Sequence, residues 1–534
     1  MRRILLFLIL SFCIACSVLA QTVFESDGIR YVILSPDDKT VAVERYCGDT
    51  VGIVTIPKTV RSDDEYAVKE IKDGAFYCCR GLSSISIPDG VTSIGYSAFM
   101  FCSGLTSIHI PKSVTSIKSD AFSYCDGVTS ITVDLQNPVY DSREGCNAIV
   151  ETATNALYTG CKNTVIPKSI TKIGSSAFCG CTGLTYITIP DGVTSIGFYA
   201  FRGCNGLTSI NIPSSVTLIS EYAFMFCEGL VSVNISEGVE SIENNTFWGC
   251  SALKSVKIPA SVSNIETEAF GRCASLASIV VHPDNAIYDS RENCNAIIET
   301  ATNTLITGCK NTVIPNGITC IGPGAFYDCS DLVAITIPDG VTEIWYEAFR
   351  ECSSLKKINI PSSVTDISHS VFYDCDGLME MTVSPQNSTY DSRDGCNAIV
   401  ETASNTLLYG CKTTVVPKSV TKIGPQAFAR LSGLTSINIP EGVTGIGYNA
   451  FEVCPNLTSI TIPSSLTGIE FGVFTACRNL TQVISKKEKP FELERNPFSG
   501  ISDDCVLTVP AGTRNAYIAA GWTEDIFKGG IVEK

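Results

Sequence analysis

Phenylalanines recur through this chain at a fixed spacing, and that spacing constrains the fold more than any other feature. The step between them is 23 residues, except for three steps of 56, each of which holds one extra turn of 33 residues. Such strict self-similarity is typical of stacked repeats, because a unit this short buries its apolar face only against its neighbours. The series, called the ruler phenylalanines below, comprises Phe76, Phe99, Phe122, Phe178, Phe201, Phe224, Phe247, Phe270, Phe326, Phe349, Phe372, Phe428, Phe451 and Phe474.

One repeat, "LTSIHIPKSVTSIKSDAFSYC" from Leu105 to Cys125, shows the expected local structure. Its apolar residues alternate or skip by three, and Pro111 ends the first strand because proline cannot donate to a strand ladder. β-branched residues dominate, and no run is long enough for a stable helix. The repeat therefore predicts short strands joined by turns, with Phe122 on the inside.

The pattern L-x-x-I-x-I-P-x-x-V-x-x-I-x-x-x-A-F-x-x-C resembles the BspA-like class of leucine-rich repeats, found in surface proteins. The resemblance implies a β-rich leucine-rich repeat solenoid, right-handed and elongated, of 23-residue repeats with three 33-residue turns. It also implies caps at both ends, since exposed end strands would pair with other chains. The expected segments are a signal peptide (1–20), an N-terminal cap (21–70), the solenoid (71–484) and a C-terminal cap (485–534).

The N-terminus is typical of an export signal. Arg2 and Arg3 precede an apolar run, and Val18-Leu19-Ala20 predicts cleavage after Ala20. An alternative is a lipoprotein acylated at Cys16. No other stretch approaches the roughly 20 apolar residues of a membrane span. The sequence thus predicts an extracellular or cell-surface protein.

Half of the 26 cysteines follow the ruler. Each stands three residues after a ruler phenylalanine, so stacking would place these thiols in a column of parallel side chains about 4.8 Å apart. A disulfide needs facing Cβ atoms and a dihedral angle near 90°, so we expect buried free thiols. This cysteine ladder comprises Cys79, Cys102, Cys125, Cys181, Cys204, Cys227, Cys250, Cys273, Cys329, Cys352, Cys375, Cys454 and Cys477.

Each long step contains a near copy of "YDSREGCNAIVETATNALYTGC", which begins at Tyr140. Its second half predicts a β-hairpin, with Asn155 in the turn at positive φ. Two interpretations of its cysteines stay open, a disulfide at the open end of the hairpin or buried free thiols. Its acids and Arg143 can pair with each other at the surface, and a calcium site at Asp141 is an alternative. The cysteine pairs are Cys146 with Cys161, Cys294 with Cys309, and Cys396 with Cys411.

Two faces could bind a partner. The outward positions of the longer strands carry mostly small hydroxyl side chains, whereas large aromatic residues cluster around the Ala-Phe turn. These rings either stack between neighbouring repeats or form a partly exposed ridge for a ligand. The candidate ligand-facing residues are Trp345, Tyr346, Tyr199, Tyr222 and Tyr448.

No catalytic or metal-binding motif is present in the sequence, and three scattered histidines offer little for either role. The net charge of −16 disfavours nonspecific binding to nucleic acid or anionic lipid. We therefore expect a non-catalytic, monomeric protein without a cofactor that presents a binding or adhesion surface to host or neighbouring-cell proteins. The alternative is a glycan-binding or purely structural surface scaffold in a larger complex.

Overall fold

The structure is a computed structural model that describes residues 23–48, 52–493 and 495–534. The predicted signal peptide, its cleavage after Ala20 and the alternative acylation at Cys16 lie outside the described residues. The chain forms two compact units, Met1–Cys227 and Glu228–Lys534. Both consist of stacked coils of short strands, and the one α-helix of the described residues is α1, Arg514–Ala519.

The N-terminal unit begins with six strands of irregular length. Strands β1 to β3 form an antiparallel meander, and β6 then adds in parallel to β3. The short strands of the first two repeats continue this sheet in parallel. The six strands are β1 (Val23–Ser26), β2 (Ile29–Ser35), β3 (Thr40–Tyr46), β4 (Gly52–Thr55), β5 (Thr59–Arg61) and β6 (Glu65–Ile71).

Each later coil of this unit adds one two-residue strand, and most coils also add one longer strand. Strands of neighbouring coils pair in parallel with equivalent residues 23 apart, as Ser116 does with Ser93. The longer strands are Leu82–Ser86, Ser107–Ile110, Ser130–Val133 and Ser209–Ile212. The two-residue strands are Ser93–Ile94, Ser116–Ile117, Lys172–Ile173, Ser195–Ile196 and Leu218–Ile219.

The C-terminal unit repeats the same construction and ends with α1 and a final strand. Its longer strands are Ser232–Ile235, Ser255–Ile258, Ser278–Val281, Lys357–Ile360, Glu380–Val383, Ser459–Ile462, Gln482–Ser485, Val506–Val509 and Ile531–Glu533. Its two-residue strands are Ser241–Ile242, Asn264–Ile265, Cys320–Ile321, Glu343–Ile344, Asp366–Ile367, Lys422–Ile423, Gly445–Ile446 and Gly468–Ile469.

The three long steps contain the predicted hairpins. Each consists of a two-residue strand, a short 3-10 turn and an antiparallel strand pair, whose second strand pairs in parallel with the next coil. The turn residue Asn155 has φ of 52°, and its two counterparts have 53°. The hairpin strands are Tyr140–Asp141, Ala148–Glu151 and Ala156–Gly160; Tyr288–Asp289, Ile297–Glu299 and Thr304–Thr307; and Tyr390–Asp391, Ala398–Glu401 and Thr406–Gly410. The 3-10 turns are Arg143–Gly145, Arg291–Asn293 and Arg393–Gly395.

All fourteen ruler phenylalanines are buried, with at most 6% of their surface exposed. Within each run of directly stacked coils their rings lie nearly parallel, as in Phe428 and Phe451 at 5.0 Å and 3°. The β-rich solenoid is confirmed in each unit. The row is not continuous, however, because each hairpin inserts between two phenylalanines. Gly160 then occupies the place beside Phe178 that a ring would fill, and its amide donates to Ala177 O at 2.8 Å.

Candidate binding surfaces

The backbone of every Ala-Phe turn follows one rule. The second residue before and the second residue after the ruler phenylalanine both have positive φ, a conformation that favours glycine. Several turns nevertheless place a large side chain there, including Tyr199 at 56°, Tyr222 at 59° and Phe101 at 64°. Such residues cost of order 1 kcal/mol each unless packing compensates. The aromatic residues of the turn therefore need contacts with their neighbours.

Tyr199 and Tyr222 have those contacts. Their rings lie 5.1 Å apart, and Phe198 contacts both at 4.0 and 5.5 Å. The Arg202 guanidinium lies 4.7 Å from the Tyr199 ring centre, which suits a cation–π contact. Both tyrosines are half-buried. These two candidates thus pack between neighbouring repeats in the N-terminal unit.

Trp345 and Tyr346 lie differently. They are 39% and 42% exposed, and they stand four and three residues before Phe349. The Trp345 indole donates to Glu343 Oε2 at 2.8 Å, and the Tyr346 ring stacks on His369 at 6.2 Å. These contacts hold the two rings in place and leave them partly exposed. Trp345, Tyr346 and His369 are called the aromatic patch below.

Tyr448 occupies the same turn position as Tyr346, but in a later coil of the same unit. It is 44% exposed, and the next coil carries Phe471 at this position with 55% exposed. The third hairpin and the coil of Phe428 separate Tyr448 from His369 of the aromatic patch. Tyr448 therefore does not belong to that patch.

The aromatic residues after the turn are bound into a charged network in the C-terminal unit. Arg350 lies between the Tyr327 and Tyr373 rings, with distances of 5.2 and 5.1 Å to their centres. Arg272 reaches across the second hairpin to Asp328 at 2.6 Å and Glu351 at 2.8 Å. Burial raises the pKa of Asp328, while Arg272 acts in the opposite direction. These rings and charges hold neighbouring coils together.

On the face of the longer strands, threonine hydroxyls just before a strand bond to the neighbouring coil. Thr106 and Thr129 each donate to the carbonyl of the residue 23 positions earlier, at 3.1 and 3.3 Å. This face also carries apolar residues that sequence reasoning missed. Val165, Val313 and Val415 are each 72% exposed at the same place after each hairpin. Alignment of "KNTVIP" on "TSIHIP" could have placed Val165 on this outward face.

The "YDSR" segment is a structural anchor in all three copies. Arg143 Nε donates to Asp141 Oδ1 at 2.8 Å, its Nη2 to Oδ2 at 2.6 Å, and its Nη1 to Asn155 Oδ1 at 2.8 Å. The Tyr140 hydroxyl accepts a bond from Ile117 N at 3.1 Å. The predicted pairing of the acid and the arginine is confirmed. The Asp141 carboxylate is engaged by Arg143 and so is poorly suited to calcium.

The repeats that build these coils decide the family. The profile of the BspA type leucine rich repeat region matches residues 51–145, 153–277, 303–396 and 401–503, with six copies. These segments make up more than half of the chain. The chain belongs to the BspA-type leucine-rich repeat family.

Solved structures of three bacterial proteins illustrate what this BspA-type chain is similar to. A leucine rich cell surface protein from Faecalibacterium prausnitzii is 22% identical, with 94% of this chain and 98% of the other covered and a TM-score of 0.37. A leucine-rich repeat protein from Bacteroides ovatus is 23% identical, with 93% and 97% covered and a TM-score of 0.29. The pneumococcal vaccine antigen PcpA is 17% identical, with 96% and 99% covered and a TM-score of 0.34.

No functionally curated protein matches the chain. Within residues 23–48, 52–493 and 495–534, no helix has the length and apolar character to cross a membrane.

The cysteine ladder of these BspA-type repeats has a specific bonding pattern. Nine of its thiols donate to the carbonyl of the ruler phenylalanine one coil earlier, as Cys352 does to Phe326 O at 3.1 Å. The first ladder residues after the first two hairpins, Cys181 and Cys329, make no such bond among the described residues. Leu431 stands at this place after the third hairpin. A hydrocarbon thus stands in for the thiol at one of these three places.

The cysteine pairs of the hairpins are free thiols in the structure. Cys146 donates to Ala148 O at 3.7 Å and Cys161 to Asn147 O at 3.5 Å, so each has its own acceptor. Burial raises the pKa of both thiols. The cysteines of the other two pairs, Cys294 with Cys309 and Cys396 with Cys411, donate to equivalent carbonyls. Disulfides between these three pairs stay a prediction.

Thiol labelling should separate exposed from buried cysteines. Of the 24 described cysteines, Cys47 and Cys78 are the exposed ones. An accessible thiolate attacks iodoacetamide and displaces iodide, so the native protein at pH 8 should be modified at these two sites within minutes. Ladder residues such as Cys204 should react only after unfolding, as peptide mass spectrometry would show. Rapid native labelling of Cys204, or a disulfide between two ladder cysteines, would contradict the packed ladder.

Proposed function

We propose that this protein is an exported, non-catalytic surface protein that binds a protein of a host or neighbouring cell through the aromatic patch. The carrying observation is the pair of consecutive rings, Trp345 and Tyr346, about two fifths exposed and held by Glu343 and His369. Tryptophan and tyrosine dominate binding hot spots, because their large rings gain most from leaving water.

Two further facts support the proposal. The chain belongs to a family whose members are typically surface proteins with protein-binding repeats. The aromatic patch is also prepared for binding, since the indole hydrogen bond and the ring stack limit side-chain motion in the free protein. A partner then loses less conformational entropy from these side chains on docking.

Replacing both Trp345 and Tyr346 with alanine should cost roughly 2–4 kcal/mol in binding, the range of hot-spot residues. The partner would first be found by screening the mature protein against an array of extracellular matrix proteins and polysaccharides. Biolayer interferometry with the tightest protein ligand would then compare wild type and the double variant. The matched control is Thr208→Ala with Ser209→Ala, which truncates two strand-face side chains and should leave affinity unchanged.

A thermal melt of each variant decides between binding and packing. Because the two rings are partly exposed, folding of the Trp345→Ala/Tyr346→Ala variant should be largely retained. A loss of melting temperature large enough to explain the lost binding would reject the aromatic patch as a binding site. Absence of any protein ligand on the array, or a protein ligand whose affinity the double change leaves at the wild-type value, would instead reject a protein partner at this place.

A further inference from the structure

An open groove of about 570 Å³ lies on the N-terminal unit, far from the aromatic patch in sequence. Its volume falls within the roughly 300–1,000 Å³ typical of small-molecule sites. By contrast, the cavities beside the first two hairpins hold only about 20 and 10 Å³, room for a water molecule at most. The groove is lined by Glu44, Glu70, Ile71, Lys72, Asp73, Ser93, Ile94, Gly95, Ser116 and Lys118.

The parallel sheet that continues from β3 builds the floor. Glu70, Ser93 and Ser116 stand opposite one another on three adjacent strands, so a carboxylate and two hydroxyls form one row. Gly95 lies beside this row and has no side chain to fill the groove. A Cβ atom on Gly95 would lie 2.4 Å from both the amide nitrogen and the Oδ1 of Asp73, so a side chain is excluded there.

Only some of the charged side chains that line the groove have a partner within the protein. Glu44 pairs with Arg30 at 2.7 Å, and Asp73 Oδ1 accepts a bond from Tyr96 N at 2.8 Å. Lys72 and Lys118, in contrast, have no ion pair within the described part of the chain. Both line the groove, and they occupy the same place in the coils on either side of Gly95.

Tyr96 follows the lining residue Gly95 and places an exposed aromatic ring near Lys118. Tyr96 is 53% exposed, and Lys118 Nζ lies 6.0 Å from its ring centre. An aromatic face of this kind binds the apolar C–H face of a sugar ring, while the edge of the sugar reaches neighbouring polar groups. The adjacent Glu70, Ser93 and Ser116 supply acceptors and donors for sugar hydroxyls.

We propose that this groove binds an acidic sugar, a pyranose that carries a carboxylate. Lys72 and Lys118 bind the carboxylate, Glu70, Ser93 and Ser116 hydrogen-bond the hydroxyls, and the ring packs on Tyr96. Two unpaired amines select a carboxylated sugar over its neutral counterpart. Glu70 repels a doubly charged phosphate more strongly than it repels a singly charged carboxylate, because the repulsion grows with the charge of the ligand.

The test uses the mature protein and two matched pairs of sugars. Isothermal titration calorimetry would compare sialyllactose with lactose, and digalacturonate with α-1,4-galactobiose. We expect the acidic member of at least one pair to bind at least tenfold more tightly than its neutral partner, with the affinity falling as NaCl is added. The pair that shows the difference tells whether the carboxylate comes from a sialic acid or a uronic acid.

Variants tie the binding to this groove. Lys72→Gln with Lys118→Gln should abolish the preference for the acidic sugar, while Lys112→Gln, an exposed lysine outside the groove, should leave it intact. Trp345→Ala/Tyr346→Ala should bind the sugar like wild type, so this proposal and the protein-binding proposal fail separately. Absence of binding to both acidic sugars, equal binding of both members of each pair, or full binding by the double glutamine variant with an unchanged melt would overturn the proposal.

Discussion

Raising the pH from 8 to 10 is expected to lower the stability of this protein steeply, because its buried thiols resist ionisation in the folded state. Burial raises the pKa of Cys125, Cys181, Cys273 and Cys329 to about 12 each. The same thiols have a pKa near 8.5 in an unfolded chain. Their contribution to stability is thus complete below pH 8.5 and is lost as the pH rises toward 12.

The magnitude follows from proton linkage. Above pH 9 each such thiol releases its proton on unfolding, which lowers the free energy of unfolding by about 1.4 kcal/mol per pH unit. Four thiols together give about 5 kcal/mol per pH unit, comparable with the whole stability of many domains. Burial also raises the pKa of Cys102, Cys204, Cys352 and Cys375, so the loss is steeper still.

Urea unfolding between pH 8 and 10, with a phosphine reductant present, measures this slope from the midpoint of each transition. Buried tyrosines add to the effect mainly above pH 10, so this window reports chiefly on thiols. The matched variant is Cys273→Ala, which should be less stable at pH 8. Because it releases one proton fewer on unfolding, its unfolding free energy should fall less steeply with pH, by about 1.4 kcal/mol per pH unit. A midpoint that stays constant over this range, or an unchanged slope in the variant, would contradict the prediction.

Replacing Gly308 with alanine is expected to destabilise the C-terminal unit by about 3 kcal/mol, the upper part of the range for overpacked cores. The new Cβ atom would lie 2.1 Å from Cε1 and 2.5 Å from Cζ of Phe326. That ring cannot retreat, because it is 1% exposed and stacks on Phe349 at 5.1 Å. Differential scanning calorimetry would record the loss.

Two variants test the cause. Gly468 lies in the strand Gly468–Ile469, where an added Cβ would have no neighbour within 4 Å, so Gly468→Ala should be neutral or slightly stabilising. Adding Phe326→Leu to Gly308→Ala should restore part of the lost stability, since the smaller side chain makes room. If Gly308→Ala melts within a degree of wild type, the close approach of Gly308 to Phe326 is not a packing constraint.

Periodic features were predictable from the sequence because each repeat meets the same surroundings. The 23-residue spacing predicted the burial of Phe76 through Phe474, and the composition "AIVETATNALYTG" predicted the hairpin with Asn155 in its turn. The cysteine ladder was predicted to consist of free thiols because stacked side chains are parallel. Its hydrogen bonds were not part of that argument. A thiol bonded to a carbonyl 26 residues earlier, as in Cys204, becomes visible only when the coils are stacked.

Features that break the period were not predictable. The interruption of the phenylalanine row depends on Gly160 meeting Phe178, and in the sequence such a glycine looks the same as one that permits a turn. The candidate aromatics looked alike in sequence, yet Tyr199 is half-buried under Arg202 whereas Tyr346 is 42% exposed. The groove was missed because Glu44 lies in the irregular strand β3, which the ruler does not reach.

The hairpins divide the stack of coils into interchangeable blocks. Asn285 donates to Pro259 O and Val262 O, and Asn387 makes the same two bonds to the coil before the third hairpin. Tyr288 and Tyr390 likewise accept from equivalent isoleucine amides. If residues 288–389 were deleted, Ile287 would be joined to Tyr390. The third hairpin would then follow the coil of Phe270 in place of the second one. Unequal recombination between such copies can therefore lengthen or shorten the protein by a whole block.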